Sequence, residues 1–330
     1  MRIVFLTPTH QSTARGNTVT VNRWEAGLRK HGHEVVVIEN DEGASVKSMA
    51  PDILHAHHAV HCGPIAVDLA KSLPDTKVVI SLGGTDLHGP TGSPADEGRL
   101  ALAAADAIVG PFAADGEKLQ AAFPECLRFH VVPRGVALRT SEPKIPGSLM
   151  RGAVVGGIRF VKGSIAALAW RAKTEAHGFE LHLDFAGPLI EAEYSEKFLK
   201  ACEQDPHANY LGELSPDETA RLMQDSDFLL NFSESEGASN AILEALAAGR
   251  PVAARAVPGN IDLLASATRD IAHLIEPDAT GLKSWFSWLE KLSMRSPEES
   301  YNQARKFVTS NYSCEIEIEA LLKVYQQLTC

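Results

Sequence analysis

Short apolar runs recur along the chain, each followed by a polar, glycine-containing loop and then by a stretch of helical composition. Ile3 to Leu6 opens into the polar loop Thr7 to Asn17, a helical stretch covers Val19 to His31, Gly32 stops it, and EVVVI follows. Strand, glycine-bearing loop, helix and strand in that order begin a parallel, doubly wound α/β sheet, because parallel neighbours need a crossover and a helix supplies it. Further strands are expected at the start of PDILHAHHAVH, at Lys77 to Leu82, and in ADAIVGPF and FHVVPRGV. After the polar, proline-bearing segment Ser141 to Pro146 the pattern resumes in AVVGG, LHLDFAG, NYLG, DFLLNF and VAARAV, the last closed by Pro258-Gly259. A chain of 330 residues is long for one core and suits two domains of about 150 residues each. Ser141 to Pro146 is the expected linker. Ligands of such sheets sit beyond the carboxyl ends of the strands, which puts Thr7 to Asn17 at a site mouth. The chain has no GxGxxG, so neither a nicotinamide nor a flavin site is read there.

Composition removes several classes. Hydrophobic content of 45% with 22% charged residues is that of an ordinary globular protein. A net charge of −11 argues against a nucleic-acid partner, since phosphate contacts need clustered Lys and Arg. It also weakens docking on an anionic membrane, for which Arg23, Arg29 and Lys30 are too few. Cys62, Cys126, Cys202, Cys314 and Cys330 are odd in number, scattered and without a CxxC pair, a pattern of reduced thiols in a cytoplasmic protein. MRIVFLTPTH lacks a signal-peptide h-region, and no apolar run reaches the ~18 residues of a membrane span. A cytosolic location is expected.

Chemistry concentrates between Asn231 and Asn260, NFSESEGASNAILEALAAGRPVAARAVPGN. A buried-type strand leads into the loop Ser233 to Ser239, and Ala241 to Ala248 is helical until Gly249. The helix start at Ser239 and Asn240 offers unpaired amides and a partial positive charge, which suits a phosphate. Glu236 in the loop and Glu244 about two turns further on can accept hydrogen bonds from sugar hydroxyls. The same residues also read as a capped surface helix with two solvated glutamates. Arg159 and Lys162, beside the strand-to-helix turn at Gly156 and Gly157, can neutralise a departing diphosphate, or can be solvated surface cations. His55, His57, His58 and His61 at one strand's end allow a zinc site, buried hydrogen-bonded histidines, or a histidine facing a ligand. Asp225-Ser226-Asp227 spells D-x-D, a metal motif elsewhere, here read as a helix-to-strand junction.

The string E-G-x6-E-A-x-A-x-G-x-P-V followed by P-G resembles the C-terminal signature of family 4 retaining GT-B glycosyltransferases. Glu236, Gly237, Glu244, Ala245, Ala247, Gly249, Pro251 and Val252 carry it. The resemblance implies two Rossmann-like domains facing a cleft: residues 1–145, joined by a final helix in 312–330 that crosses back, and 146–311, which hold the nucleotide-sugar. It implies that Glu236 meets the donor sugar, Glu244 the ribose, and that Arg159 and Lys162 clamp the diphosphate. Gly16, Asn17, Gly157, Gly237, Ser239 and Asn240 fall in donor-binding positions, and Tyr210 to Gly212 near the base. P-D-x-x-H-x-H resembles the family's pattern for a histidine toward the site, here His57 or His58. Many members place a histidine before Gly-Thr-Asp; Gly83 stands there, so Thr85, Asp86 or His88 is the expected substitute contact.

The implied activity moves a sugar with retention from an NDP-sugar, a UDP-sugar by expectation, to a small-molecule or glycan acceptor. It needs no metal or other cofactor. GNTVTVNRW, GGTD, GGIRFVKG and SEGASNAILEA resemble most a side branch with the vertebrate glycosyltransferase-1-domain protein and the bacterial selenosugar synthase. The latter would use UDP-N-acetylglucosamine and selenophosphate, a subordinate expectation. The rival readings are a UDP-sugar epimerase and a non-catalytic sugar-nucleotide binder on the same fold.

Overall fold

The computed structural model describes residues 1–8, 16–40, 45–83, 86, 96–124, 128–145 and 149–330. It divides into two compact units, Met1–Gly135 with Ser313–Cys330, and Val136–Tyr312. Cys126 lies outside the described residues; Cys62, Cys202, Cys314 and Cys330 are free thiols.

In the first unit β1 (Arg2–Thr7), β2 (Glu34–Glu39), β3 (Ile53–His57), β4 (Lys77–Ser81), β5 (Ala107–Gly110) and β6 (Phe129–Val131) form one parallel sheet in the order β2-β1-β3-β4-β5-β6. The strands are apolar runs because both faces are covered. Ile3, Phe5, Ile53 and Val79 turn to one face, against Trp24 and Leu28 of α1 (Gly16–Lys30) and Leu321 and Tyr325 of a terminal helix, Cys314–Thr329. Val4, Leu6, Leu54 and Ile80 turn to the other, against Ala66, Leu69 and Leu102. The alternation is the two-residue period of a strand. Helix α1 starts at Gly16, so Gly16 and Asn17 occupy its first turn and not the preceding loop. First-turn amides have no intrahelical partner to lose, so the sequence there costs the ladder little.

In the second unit β7 (Met150–Val155), β8 (Leu181–Ala186), β9 (Ala208–Tyr210), β10 (Phe228–Asn231), β11 (Val252–Arg255) and β12 (Ala272–Ile275) pair in the order β12-β11-β10-β7-β8-β9, again parallel. The helix Pro216–Asp225 is capped at Ser215, whose hydroxyl accepts from Glu218 N at 3.3 Å while its own N–H donates to Glu218 Oε2 at 2.9 Å. Asp225-Ser226-Asp227 does bridge that helix and β10. Asp227 is buried, pairs with Lys144 at 2.7 Å and accepts Arg151 N at 2.7 Å. One expectation is corrected: Pro258 and Gly259 do not close a strand but open a helix, Pro258–Leu264, and β11 stops at Arg255. Proline suits a first helical position, where its fixed φ is helical and its missing N–H is not needed. Among the described residues no helix is long and apolar enough to cross a membrane.

Candidate functional site

Strand order locates the place where each sheet can take a ligand. In the second unit the order reverses between β7 and β10, and the crevice of a doubly wound sheet opens beyond the carboxyl ends at such a reversal. Two loops lie there. After β7 come Gly156, Gly157, Arg159 and a 3-10 turn, Phe160–Lys162; after β10 comes residues 232–239, leading into the helix Asn240–Ala247. Glu234 N donates to Val161 O at 2.9 Å and ties the loops together. Gly163, at φ +66, makes that approach possible, since a Cβ on it would sit 2.0 Å from Phe232 O. Gly163→Ala is therefore expected to destabilise the second unit by about 1–3 kcal/mol, from strain at a left-handed position and the clash together; a urea melt measures it.

Glu236 is the centre of the arrangement. Its side chain is 8% exposed, and Oε1 accepts from Lys162 Nζ at 2.7 Å, Ser233 Oγ at 2.8 Å and Asn231 Nδ2 at 3.1 Å. Burial alone pushes this carboxyl up. The Lys162 charge and the hydrogen bonds from Lys162, Asn231 and Ser233 outweigh it and hold Glu236 below its ordinary value. All three bonds fall on Oε1, and Oε2 carries none of them. The second cation differs from the first: the half-buried Arg159 has no side-chain partner among the described residues, and its Nε is both inaccessible and unbonded. A diphosphate would meet one unpaired guanidinium and one lysine already shared with a carboxylate.

The helix Asn240–Ala247 starts at Ser239, whose side chain does not cap it; Ser239 Oγ accepts instead from Asn231 Nδ2 at 3.3 Å. Asn240 and Glu244 are half-buried on this helix, Gly237 is buried, and Gly157 is half-buried. Glu236, Lys162, Ser239 and Asn231 are thus joined by direct hydrogen bonds, and Arg159 lies three residues before Lys162 on the same loop. Tyr210 Oη donates to Gly187 O at 2.8 Å at the ends of β8 and β9. Sequence reasoning missed Asn231, Ser233, Asn260 and the Arg255–Glu234 ion pair. Their only signal is position at or just after strand ends, where polar residues are common.

In the first unit the reversal lies between β1 and β3, and Thr7 and His57 end those strands. Residues 9–15 of the expected site loop, with Thr85 and His88, lie outside the described residues. His57 is buried with Nδ1 hydrogen-bonded to Ser81 Oγ at 2.7 Å; burial first, then the positive charges of Arg134 and Arg23 among its neighbours, push its pKa well down. His55 is a core residue. It stacks on Trp24 and bonds the Tyr325 hydroxyl at 2.5 Å, and burial brings it down to about 3. Both rings pack on Trp24, but they hydrogen-bond different partners, Tyr325 for His55 and Ser81 for His57.

His58 explains the departure at Gly83. Its backbone sits at φ +97, its ring pairs with Asp86 Oδ1 at 2.9 Å, and a Cβ at residue 83 would come 2.8 Å from His58 Cδ2. Asp86, fully buried, also accepts the N–H groups of Gly83 at 2.6 Å and Ala59 at 2.9 Å. An imidazole does stand at this strand end, but it arrives from residue 58.

Comparison with known proteins settles the class. Residues 152–289 match the family model for glycosyl transferases group 1. Glycosyltransferase 1 domain-containing protein 1 of Xenopus tropicalis is 24% identical over 352 residues, covering 96% of this chain and 95% of the relative. The chain is a sugar-transfer enzyme with a glycosyltransferase group 1 domain. Among solved structures, sucrose-phosphate synthase from Thermosynechococcus elongatus is similar at TM-score 0.81 and 14% identity, covering 99% of this chain and 98% of that one. Anabaena HepE in complex with UDP and glucose gives TM-score 0.76 at 14% identity, covering 99% of each chain. These likenesses give the glycosyltransferase its fold, GT-B, with its two parallel six-stranded sheets and flanking helices.

Proposed function

We propose that this glycosyltransferase moves a sugar, with retention of configuration, from a UDP-sugar to a small or soluble acceptor, in the manner of family 4. The observation that carries the reading is the partly buried Lys162–Glu236 pair at the strand-order reversal of the second unit. Glu236 has one oxygen loaded by three donors and the other left for a hydroxyl, which suits a group that grips a sugar better than one that attacks it. On this reading no carboxylate serves as nucleophile, and the acceptor attacks the anomeric carbon on the face the diphosphate leaves. The bond from that carbon to the phosphate oxygen breaks, the electron pair stays on the oxygen, and the acceptor's proton follows it there. Arg159 and Lys162 meet the charge that develops on the leaving diphosphate, so catalysis rests on position and electrostatics. Glu244, on the helix Asn240–Ala247, meets the ribose. Similarity to a protein crystallised with UDP favours uracil as the base.

A thermal-shift panel of UDP-, GDP- and ADP-sugars and their parent nucleotides tests this. UDP at 100 times its Kd is expected to add about 2.7 kcal/mol of apparent stability to the wild type, and to lose that effect in Glu244→Ala. A panel in which no nucleotide class raises Tm would overturn the reading. Stabilisation that survives in Glu244→Ala would remove the ribose assignment alone.

A further inference from the structure

We propose that Asn260 is a positioning residue that works through Asn231 to decide which oxygen of Glu236 is left for the donor, a role resting on the reading of Glu236 as the sugar contact. Asn260 is fully buried in the first turn of the helix Pro258–Leu264. Its Nδ2 donates to Asn231 Oδ1 at 3.2 Å and to Arg255 O at 3.0 Å. Asn231 Oδ1 also accepts Ser233 N at 3.3 Å, and Asn231 Nδ2 donates to Glu236 Oε1 at 3.1 Å and Ser239 Oγ at 3.3 Å.

Chemistry fixes both amides. Arg255 O can only accept and Ser233 N can only donate, so neither side chain can turn over without losing a bond. The loop after β11 is thereby locked to the carboxylate carried by the loop after β10. That lock comes at a local cost, because Asn260 Oδ1 is buried without any hydrogen-bond partner. A branched aliphatic side chain of similar size would fill the same space and orphan nothing. What it could not do is give Asn231 Oδ1 a second donor, beside Ser233 N, that keeps Nδ2 toward Glu236.

Without Asn260, Asn231 Oδ1 keeps only the longer bond from Ser233 N, the amide is held less firmly, and its bond to Oε1 weakens, so the carboxylate presents a less defined free oxygen. The test reads Glu236 directly, by side-chain carboxyl NMR on protein labelled at glutamate, with the resonance assigned from Glu236→Gln. In Asn260→Ala the Glu236 midpoint is expected to rise, because a hydrogen bond to its ionised form is lost. Asn260→Ser, which keeps one donor, is expected to move it less and serves if the alanine variant does not fold. Release of UDP from UDP-glucose and UDP-N-acetylglucosamine is expected to fall about 10- to 100-fold in kcat in Asn260→Ala, with UDP affinity unchanged. A Glu236 midpoint that stays at the wild-type pH in a folded Asn260 variant overturns the proposal. If the wild type turns over neither donor, the transferase reading fails while the titration still decides the role of Asn260.

Discussion

On the proposed reading, in which Lys162 meets the leaving diphosphate of a UDP-sugar, Lys162→Ala is expected to cut turnover by about 100- to 1,000-fold, the usual loss when a preorganised electrostatic contact to a leaving oxyanion is removed. The same change is expected to cost about 1–3 kcal/mol of stability, since it strands the Glu236 carboxylate. The figure sits below the 3–5 kcal/mol of a fully buried pair because the Lys162 side chain keeps 25% of its surface in water. The two losses have different pH signatures. In the wild type Glu236 lies below its ordinary 4.5, so it contributes stability that is present above pH 4.5 and is lost as the pH falls through the folded value. In Lys162→Ala burial is opposed only by the hydrogen bonds from Asn231 and Ser233, and the Glu236 pKa rises. A carboxyl raised in the folded state destabilises at neutral pH and ceases to do so on acidification. The stability gap between variant and wild type is therefore expected to be widest at pH 7 and to narrow as the pH falls, in urea melts taken across that range. A gap independent of pH would show that Lys162 acts through packing alone. Joint replacement of Lys162 by Met and Glu236 by Leu is expected to recover most of the stability and none of the turnover, because no charge is then left buried.

That variant pair also marks the limit of what the sequence discloses. The strands as far as β11 and the cap at Ser215 were legible, because each follows from a local period or a local hydrogen bond; β12 was not read, and the Ser239 side chain does not cap its helix. EVVVI becomes Glu34–Glu39, LHLDFAG becomes Leu181–Ala186, and Ser215 caps the helix that follows it. Glu236, Lys162 and Ser239 could be named as candidates from residue type and family resemblance. What holds them could not. Lys162 and Glu236 are 74 positions apart and Asn231 and Asn260 are 29 apart, separations to which no periodicity applies. Gly83 illustrates the same limit in reverse. Read along the chain it is a missing imidazole, whereas in space it is the clearance that lets His58 occupy the spot. Charged residues mislead in the same way. Glu317 sits in a terminal helix between Ile316 and Ile318 with nothing to set it apart from its acidic neighbours, yet its side chain is 1% exposed.

Glu317→Ala is accordingly expected to destabilise the first unit strongly, by about 3–5 kcal/mol. Glu317 Oε2 accepts from Arg23 Nε at 2.5 Å and Oε1 from Arg23 Nη2 at 2.9 Å, a two-pronged pair in which Arg23 itself is only 13% exposed. Removing the carboxylate leaves Arg23 charged, mostly buried and close enough to Arg134 for the two to repel. The Arg134 guanidinium is already pushed down to about 10, by burial and then by Arg23, and Glu317 is among the charges that oppose this. The loss converts to a fall in Tm on the order of 10 °C for a unit of about 150 residues. Calorimetry measures it, and hydrogen exchange should show the terminal helix Cys314–Thr329 losing protection first, since the pair joins that helix to α1. The double replacement of Arg23 by Met and Glu317 by Leu separates charge from packing: if it restores most of the lost stability, the cost lay in the positive charge kept at Arg23 beside Arg134. If it melts no higher than Glu317→Ala, the helix is held by the shape of the pair, and its charges contribute little.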